Sequence, residues 1–163
     1  MRELDQALRQ LEQIESFCIL CDLLQPPPVT LPQDPVRAAG LDPDIWHGLG
    51  VVGLWAAIDA FVERRRPQRP KRPLPIRLAA ELHHDRALAE IEDIRHLYAH
   101  NFGGVADQRY FVAAERHALG RAGCTLTSGA RFDGQRLTLR LDDLRFYIAE
   151  ARRIISTLDS LWP

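Results

Sequence analysis

The stretch that does most to decide the fold is Arg2–Leu24, which reads RELDQALRQLEQIESFCILCDLL. Its apolar residues recur in steps of three or four, namely Leu4, Leu8, Leu11, Ile14, Cys18 and Cys21. Steps of that size place side chains on one face of an α-helix. The stretch therefore predicts a long amphipathic helix. The following QPPPVTLPQDP ends it, because proline lacks the N–H donor that a helix needs.

Helical spacing returns three more times along the chain. DPDIWHGLGVVGLWAAIDAFVERRR predicts a second helix that begins near Asp44. The region from Pro75 to His100 predicts one helix or two helices bent near HHD. The last segment, DDLRFYIAEARRIISTLDSLW, carries one apolar stripe made of Leu144, Ile148, Ala151, Ile155, Leu158 and Trp162. A further short helix is predicted within VADQRYFVAAERHALGRAG.

One segment has the period of a strand instead. CTLTSGARFDGQRLTLRL alternates between apolar and polar residues around Asp133-Gly134, and this dipeptide favours a tight hairpin turn. We therefore predict a mainly α fold, a helical bundle with a short β-hairpin before the C-terminal helix.

Length and composition indicate a single domain over residues 1–163, since 163 residues with 46% hydrophobic content suit one compact core. A proline-rich connector is expected at about 25–43 and a basic, proline-rich loop at about 64–75. No early apolar run carries a cleavage site, and no uninterrupted apolar run reaches the length of about 18 residues that a membrane helix needs. We expect a cytoplasmic protein without a membrane partner, in which Cys18, Cys21 and Cys124 are buried, reduced thiols.

The net charge of −1 gives no global attraction for nucleic acid, so any site for a polyanion has to be local. The basic residues Arg64, Arg65, Arg66, Arg69, Lys71 and Arg72 are the first candidates for contacts with RNA phosphates. The alternative is a solvated charge run, because no aromatic residues for base stacking are interleaved with them.

The most unusual stretch is IEDIRHLYAHNFGG, Ile91 to Gly104. His96 and His100 are four residues apart and would share one helix face, so they could ligate zinc together with a third histidine. However, the spacing lacks the glutamate of a metalloprotease motif and a second ligand pair. We expect no metal and no other cofactor. The alternative to a metal site is that these histidines are partly exposed residues on the surface of a helix.

Arg95 and His100 form a second candidate pair, suited to metal-free cleavage of RNA. Histidine can take a proton from the ribose 2′-hydroxyl near neutral pH, and arginine can stabilise charge on the phosphate. Five residues along a regular helix turn by about 500°, so the two side chains would point about 140° apart. Either the helix loosens at His100, or two copies of the chain contribute to one cleft.

The run RHLYAHNFGGVADQRY resembles the HEPN superfamily (the higher eukaryote and prokaryote nucleotide-binding domain), whose hallmark is Arg, four to six residues, then His. Here four residues separate Arg95 from His100, and His96 stands at the place of a polar residue that often follows the Arg. The predicted helical layout is also similar. The resemblance implies a metal-independent endoribonuclease, an RNA hydrolase that acts as a homodimer with both Arg95–His100 pairs in a shared cleft. It also implies supporting roles for His96 and Asn101, and Tyr98 lies close enough to assist. The alternative for Asn101 is that it only caps the C-terminus of the helix.

The same resemblance places the protein among toxin–antitoxin or phage-defence ribonucleases, with an antitoxin or another regulatory protein as a second partner. In one toxin branch a Tyr two residues after the His receives a nucleotide from the antitoxin. That position is Phe102 here, which has no hydroxyl group to modify. Two alternatives stay open: a non-catalytic HEPN-like module that binds RNA, a nucleotide or a protein, and a dimeric helical scaffold without a ligand.

Overall fold

The computed structural model describes residues 3–23, 43–67, 74–82, 85–101, 126–133 and 136–162. In this part of the chain the helices are α1 (Glu3–Leu23), α2 (Pro43–Arg65), α3 (Leu74–Arg77), α4 (Ala79–Leu82), α5 (Arg86–Asn101) and α6 (Leu141–Leu161). The strands are β1 (Arg131–Asp133) and β2 (Arg136–Thr138). The prediction of a mainly α bundle with a hairpin before the C-terminal helix is confirmed. The predicted connector at 25–43 lies almost wholly outside the described residues, and so does the predicted helix within 105–123.

Helix α2 is the centre of the bundle, and it contacts α1, α5 and α6. Its Leu54, Ile58 and Phe61 are fully buried in a core shared with α1, α5 and α6. Burying an aliphatic or aromatic side chain of this size contributes about 1.5–3 kcal/mol, so these contacts dominate the stability of the bundle.

The long amphipathic helices follow the predicted apolar stripes. In α6 all six residues of the stripe from Leu144 to Trp162 are buried. In α1 the side chains of Leu11 and Cys18 are buried, while Leu4, Leu8 and Ile14 pack at the edge of the core. The region from Pro75 onward divides near the predicted bend, because the short helices α3 and α4 end at Leu82 and α5 begins at Arg86.

Strands β1 and β2 pair antiparallel, with Arg131 opposite Thr138 and Asp133 opposite Arg136. The alternation in the sequence places Leu137 and Leu139 in the core, whereas Thr138 and Arg140 are exposed. The hairpin therefore covers one end of the bundle with its apolar face. The turn residues 134 and 135 lie outside the described part of the chain.

A buried histidine joins three elements at the start of α2. His47 Nδ1 lies 2.9 Å from the carbonyl oxygen of Leu139, and Nε2 lies 2.9 Å from Asp22 Oδ1. A carbonyl and an ionised carboxylate can only accept, so both bonds form when both ring nitrogens carry a proton. His47 thereby fixes the end of α1, the first turn of α2 and the segment before α6.

Helix α2 is also the one described helix that is long and apolar enough to cross a membrane, from Ile45 to Arg65 with mean hydropathy 1.5. In the bundle, 61% of that span is buried against other helices. A central core helix meets the same criteria of length and composition, so this feature is weak support for a membrane span.

The predicted thiols are partly placed. Cys18 is a free, buried cysteine and Cys21 is a free cysteine with intermediate exposure, so the expectation of full burial holds for Cys18 alone of these two. Burial raises the pKa of the Cys18 thiol to about 12, with smaller contributions from Cys21 and Asp22. Cys124 lies outside the described residues.

Candidate functional site

Helix α5 carries the Arg95–His100 motif, and it is helical from Arg86 through Asn101. The apolar residues Ile91, Ile94 and Leu97 anchor one face of this helix in the core. Since the backbone is helical at both His100 and Asn101, the helix does not loosen before the motif ends. The Cα–Cβ directions of Arg95 and His100 therefore differ by about 140°, as expected for a regular helix.

The Arg95 side chain is half-buried and lies against the central helix. Its guanidinium carbon is 5.4 Å from the centre of the Trp55 ring, within the range of a cation–π interaction. Trp55 is itself buried. Among the described residues, the contacts of this guanidinium are with the rings of Trp55 and His96, and no carboxylate forms an ion pair with it. Its charge is therefore not neutralised within this part of the chain.

His96 is exposed and lies next to Arg95. Arg95 Nη1 is 3.2 Å from His96 Nε2, and because arginine can only donate, Nε2 accepts this bond in the neutral imidazole. The same nitrogen lies 4.0 Å from Glu92 Oε1, a partner for the protonated ring. This is the contact through which His96 could orient Arg95.

Tyr98 has a structural position. It is buried, and its hydroxyl group donates a hydrogen bond of 2.8 Å to the carbonyl oxygen of Leu137 in β2. The ring packs so closely on α2 that a Cβ atom built on Gly48 would lie 2.0 Å from Tyr98 Cδ1. Tyr98 thus joins α5 to the hairpin and to α2, and a direct part in chemistry would require exposure that it does not have.

The first residues of the predicted basic loop serve the bundle. Arg65 forms an ion pair of 2.5 Å with Asp159 of α6 and contacts Glu3 at 4.0 Å. Arg66 pairs with Glu81 at 3.1 Å and stacks over the Trp162 ring at 4.4 Å. A phosphate group would have to displace these partners.

The other members of that loop add less to a phosphate site. Two nitrogens of Arg64, Nε and Nη2, are buried and have no partner among the described residues. Arg69, Lys71 and Arg72 lie outside the described part of the chain, as do the side chains of His100 and Asn101.

Metal coordination was the other possibility for the histidine pair. Over the ranges that the structure describes, no group of three or more His, Cys, Asp or Glu side chains is arranged to hold a metal ion. His96 lies beside Arg95 and Glu92.

Trp55 is the contributor to this site that the sequence did not reveal. It lies forty residues before Arg95, and in the sequence it reads as one more apolar residue of α2. The sequence feature that could have indicated this contact is a large aromatic residue at the boundary between the buried and exposed faces of α2. That signal is common to many core residues.

A scan against protein-family models gave no match, and searches of curated proteins and of solved structures also found no similar chain. The chemistry of the residues on α5 is therefore the basis for inferring a function.

Proposed function

We propose that this protein is a metal-independent, cytoplasmic endoribonuclease of the HEPN type, which acts as a homodimer in a toxin–antitoxin or defence system. One observation carries the proposal. Arg95, on the helix that also bears His100, is held by the Trp55 and His96 rings, and no described carboxylate neutralises it. An arginine kept for the fold alone is usually paired with a carboxylate, as Arg65 and Arg77 are here.

The contact with Trp55 suits a phosphate ligand. A guanidinium that lies over an aromatic ring does not use its N–H groups as hydrogen-bond donors to that ring edge, so they stay available to a ligand. Those donors match the oxygens of a phosphodiester in a two-point contact. Arg95 would bind the scissile phosphate and stabilise the negative charge that develops on it.

His100 would act as the general base in the same step. It takes the proton of the ribose 2′-hydroxyl, and the 2′-oxygen attacks the adjacent phosphorus. The bond from phosphorus to the 5′-oxygen breaks, that oxygen accepts a proton from water, and His100 returns its proton to the solvent. The products are a 2′,3′-cyclic phosphate and a 5′-hydroxyl end.

The regular helix favours the two-chain arrangement of this site. Because the Cα–Cβ bonds of Arg95 and His100 differ in direction by about 140° on one helix, we do not expect a single chain to converge both residues on one phosphate. A two-fold symmetric pair of chains can place Arg95 of one copy beside His100 of the other. Control by nucleotide transfer to the residue two positions after His100 is not proposed, since Phe102 lacks a hydroxyl group.

The decisive measurement is cleavage of RNA by purified protein in excess EDTA. His100→Ala and Arg95→Ala are expected to lose at least about a hundredfold in rate, the usual cost of removing a general base or a charge-stabilising donor. Arg153→Ala is the matched control, because this exposed arginine is already paired with Asp85 and Glu150. If wild type cuts only with a divalent metal, or both variants cut as fast as wild type, the proposal is wrong.

Mixing the two inactive variants tests the shared cleft. In randomly exchanged dimers of Arg95→Ala with His100→Ala chains, half of the dimers are mixed and each has one intact composite site. About a quarter of wild-type activity should therefore return on mixing. No recovery, with chain exchange verified, would mean that each chain supplies its own complete site.

A further inference from the structure

The outer face of the hairpin carries two arginines whose side chains form no ion pair with the described residues. Arg131 opens β1 and pairs directly with Thr138 of β2. Residues directly opposite in an antiparallel pair point to the same face, and so do residues two apart along an extended strand. Arg140 lies two residues after Thr138 in extended backbone, with φ −97 and ψ 166. Arg131, Thr138 and Arg140 therefore share one face, and all three are exposed.

These two arginines line a polar cavity of about 650 Å³. Its other walls are Ser128, Gly129 and Ala130 on one side and Asp142 and Asp143 on the other. A cavity of this size holds several non-hydrogen atoms of a ligand, since small-molecule pockets range upward from about 300 Å³. The polar lining indicates a polar ligand.

Both acidic residues of the cavity already have partners. Asp143 Oδ2 accepts a hydrogen bond of 2.8 Å from the backbone N–H of Arg140 and caps α6. Asp142 Oδ1 lies 3.5 Å from Arg145 Nη1. The charges of Asp142 and Arg145 offset each other, whereas Asp143 keeps its negative charge because a backbone N–H group is neutral. Arg131 and Arg140 form no ion pair with a carboxylate among the described residues, and together they exceed the charge of Asp143 by one, so the cavity carries a net positive charge.

Seven other arginines of the described chain are paired. Arg65, Arg66, Arg77, Arg86, Arg145, Arg152 and Arg153 each form an ion pair with a carboxylate. Arg131 and Arg140 instead resemble Arg95, because no carboxylate among the described residues pairs with their side chains.

The wall of the cavity is held in place by the core. Two backbone hydrogen bonds close a turn here. The Leu126 N–H donates to the Ala130 carbonyl oxygen at 3.1 Å, and the Gly129 N–H donates to the Leu126 carbonyl oxygen at 2.9 Å. Gly129 supplies the positive φ of 95° that this turn requires. Thr127 N donates to the buried Glu90 of α5 at 3.1 Å. A contact surface built on such a fixed loop loses little conformational entropy when a ligand binds.

We propose that Arg131 and Arg140, together with the Thr138 hydroxyl group, bind phosphodiester groups of single-stranded RNA. This assignment adds a second candidate for phosphate contacts beside the predicted loop at 64–75. The choice of RNA as the ligand rests on the proposed ribonuclease function, whereas the anion-binding chemistry of the hairpin face does not.

Binding of a fluorescent single-stranded RNA is measured by anisotropy in EDTA at several salt concentrations, in a His100→Ala background that leaves the RNA intact. The double variant Arg131→Gln/Arg140→Gln is expected to bind the RNA at least about tenfold more weakly. In a plot of the logarithm of the binding constant against the logarithm of the salt concentration, the slope of this variant should be smaller in magnitude by about 1.4, or ~0.7 for each lost phosphate contact. Arg152→Gln/Arg153→Gln removes the same charge from paired arginines of α6 and should change neither quantity by a comparable amount.

Three results would overturn the assignment: equal affinity and slope for the two double variants, no RNA binding by the parent protein, or displacement of the RNA by adenosine monophosphate at equal phosphate concentration. The last result would identify a site for a free nucleotide. Cleavage is scored separately in the His100-containing protein. RNA binding that depends on the hairpin without any cleavage refutes the ribonuclease proposal alone, and cleavage with an indifferent hairpin refutes this inference alone.

Discussion

The guanidinium group of Arg95 lies over the ring of Trp55, with 5.4 Å between the guanidinium carbon and the ring centre. The contact joins α5 to the central helix α2. An arginine in a cation–π contact keeps its charge and its N–H donors. The relationship gives Arg95 a defined orientation without neutralising it.

Arg95→Lys should therefore lower the rate of RNA cleavage by about tenfold or more, although it keeps the positive charge. A lysine ammonium group has no planar fork to stack on Trp55 and to contact two phosphate oxygens. The rate is measured under single-turnover conditions in EDTA, with Arg153→Lys as the control. Equal rates for wild type and Arg95→Lys would show that only the charge at this position matters.

A second pair of residues controls how α5 and α6 are held together. The Tyr147 hydroxyl group donates a hydrogen bond of 2.9 Å to Glu90 Oε2 in the interior. Burial raises the pKa of Tyr147, and the nearby Glu90 charge raises it further, so the phenol stays protonated and donates. Glu90 also accepts from Thr127 N at 3.1 Å and pairs with Arg86 at 3.0 Å.

Glu90→Ala is expected to reduce the free energy of unfolding by about 3 kcal/mol or more, because it strands the buried Tyr147 hydroxyl and the Thr127 N–H group. Tyr147→Phe should cost about 1–2 kcal/mol, since Glu90 keeps its other donors. Urea denaturation of the two single variants and the double variant gives their coupling energy. Additive losses in the double variant would mean that the hydrogen bond contributes nothing.

Close packing at Gly48 gives a third prediction. Gly48→Ala would bring a Cβ atom within 2.0 Å of the buried Tyr98 ring, so the ring has to move, and we expect a loss of about 2 kcal/mol or more. Gly53→Ala is the matched control in the same helix, where the new Cβ meets the flexible Ile14 Cδ1 at 3.1 Å. The helix propensity of alanine favours this control by up to about 1 kcal/mol. The loss of stability of both variants is measured by thermal unfolding. Equal losses for Gly48→Ala and Gly53→Ala would contradict the close packing of Tyr98 on Gly48.

Alkaline pH should destabilise the fold through Cys18. Burial raises the pKa of its thiol from 9.0 to about 12, so between these values the unfolded chain loses a proton that the folded protein keeps. The unfolded state then binds fewer protons, and the free energy of unfolding falls by up to about 1.4 kcal/mol per pH unit as the pH rises above 9.

The comparison is urea denaturation of wild type and Cys18→Ala at pH 7 and pH 10 in the presence of a reducing agent. Wild type should lose about 1 kcal/mol more than the variant between the two pH values. Parallel pH dependences would show that Cys18 titrates alike in the folded and unfolded states.

Local pattern was sufficient for most of the secondary structure. The stripe from Leu144 to Trp162 predicted α6 because a helix repeats every 3.6 residues, and the core buries one continuous face. The alternation around Asp133-Gly134 predicted the hairpin because side chains along a strand alternate between two faces, and the core buries one of them. Proline positions marked where α1 ends. These features depend on neighbours a few residues apart, which a sequence displays directly.

Contacts between distant residues could not be derived in this way. Ion pairing of Arg65 with Asp159 and of Arg66 with Glu81 joins residues far apart in sequence, and it changes the interpretation of a basic run. Tyr98 was adjacent to the motif but turned out to be buried beneath the hairpin. Charge and polarity are visible in a sequence, whereas the availability of a charge depends on its partners in space.

The sequence by itself determined the helical bundle, the position of the hairpin and the Arg95–His100 motif, because each of these is encoded in short-range spacing. Only the tertiary structure decided that Arg95 lies over the Trp55 ring and that Arg131 and Arg140 share one face without a carboxylate partner in the described part of the chain. Those outcomes depend on how α2, α5 and the hairpin pack together, and packing brings together residues that the chain keeps apart.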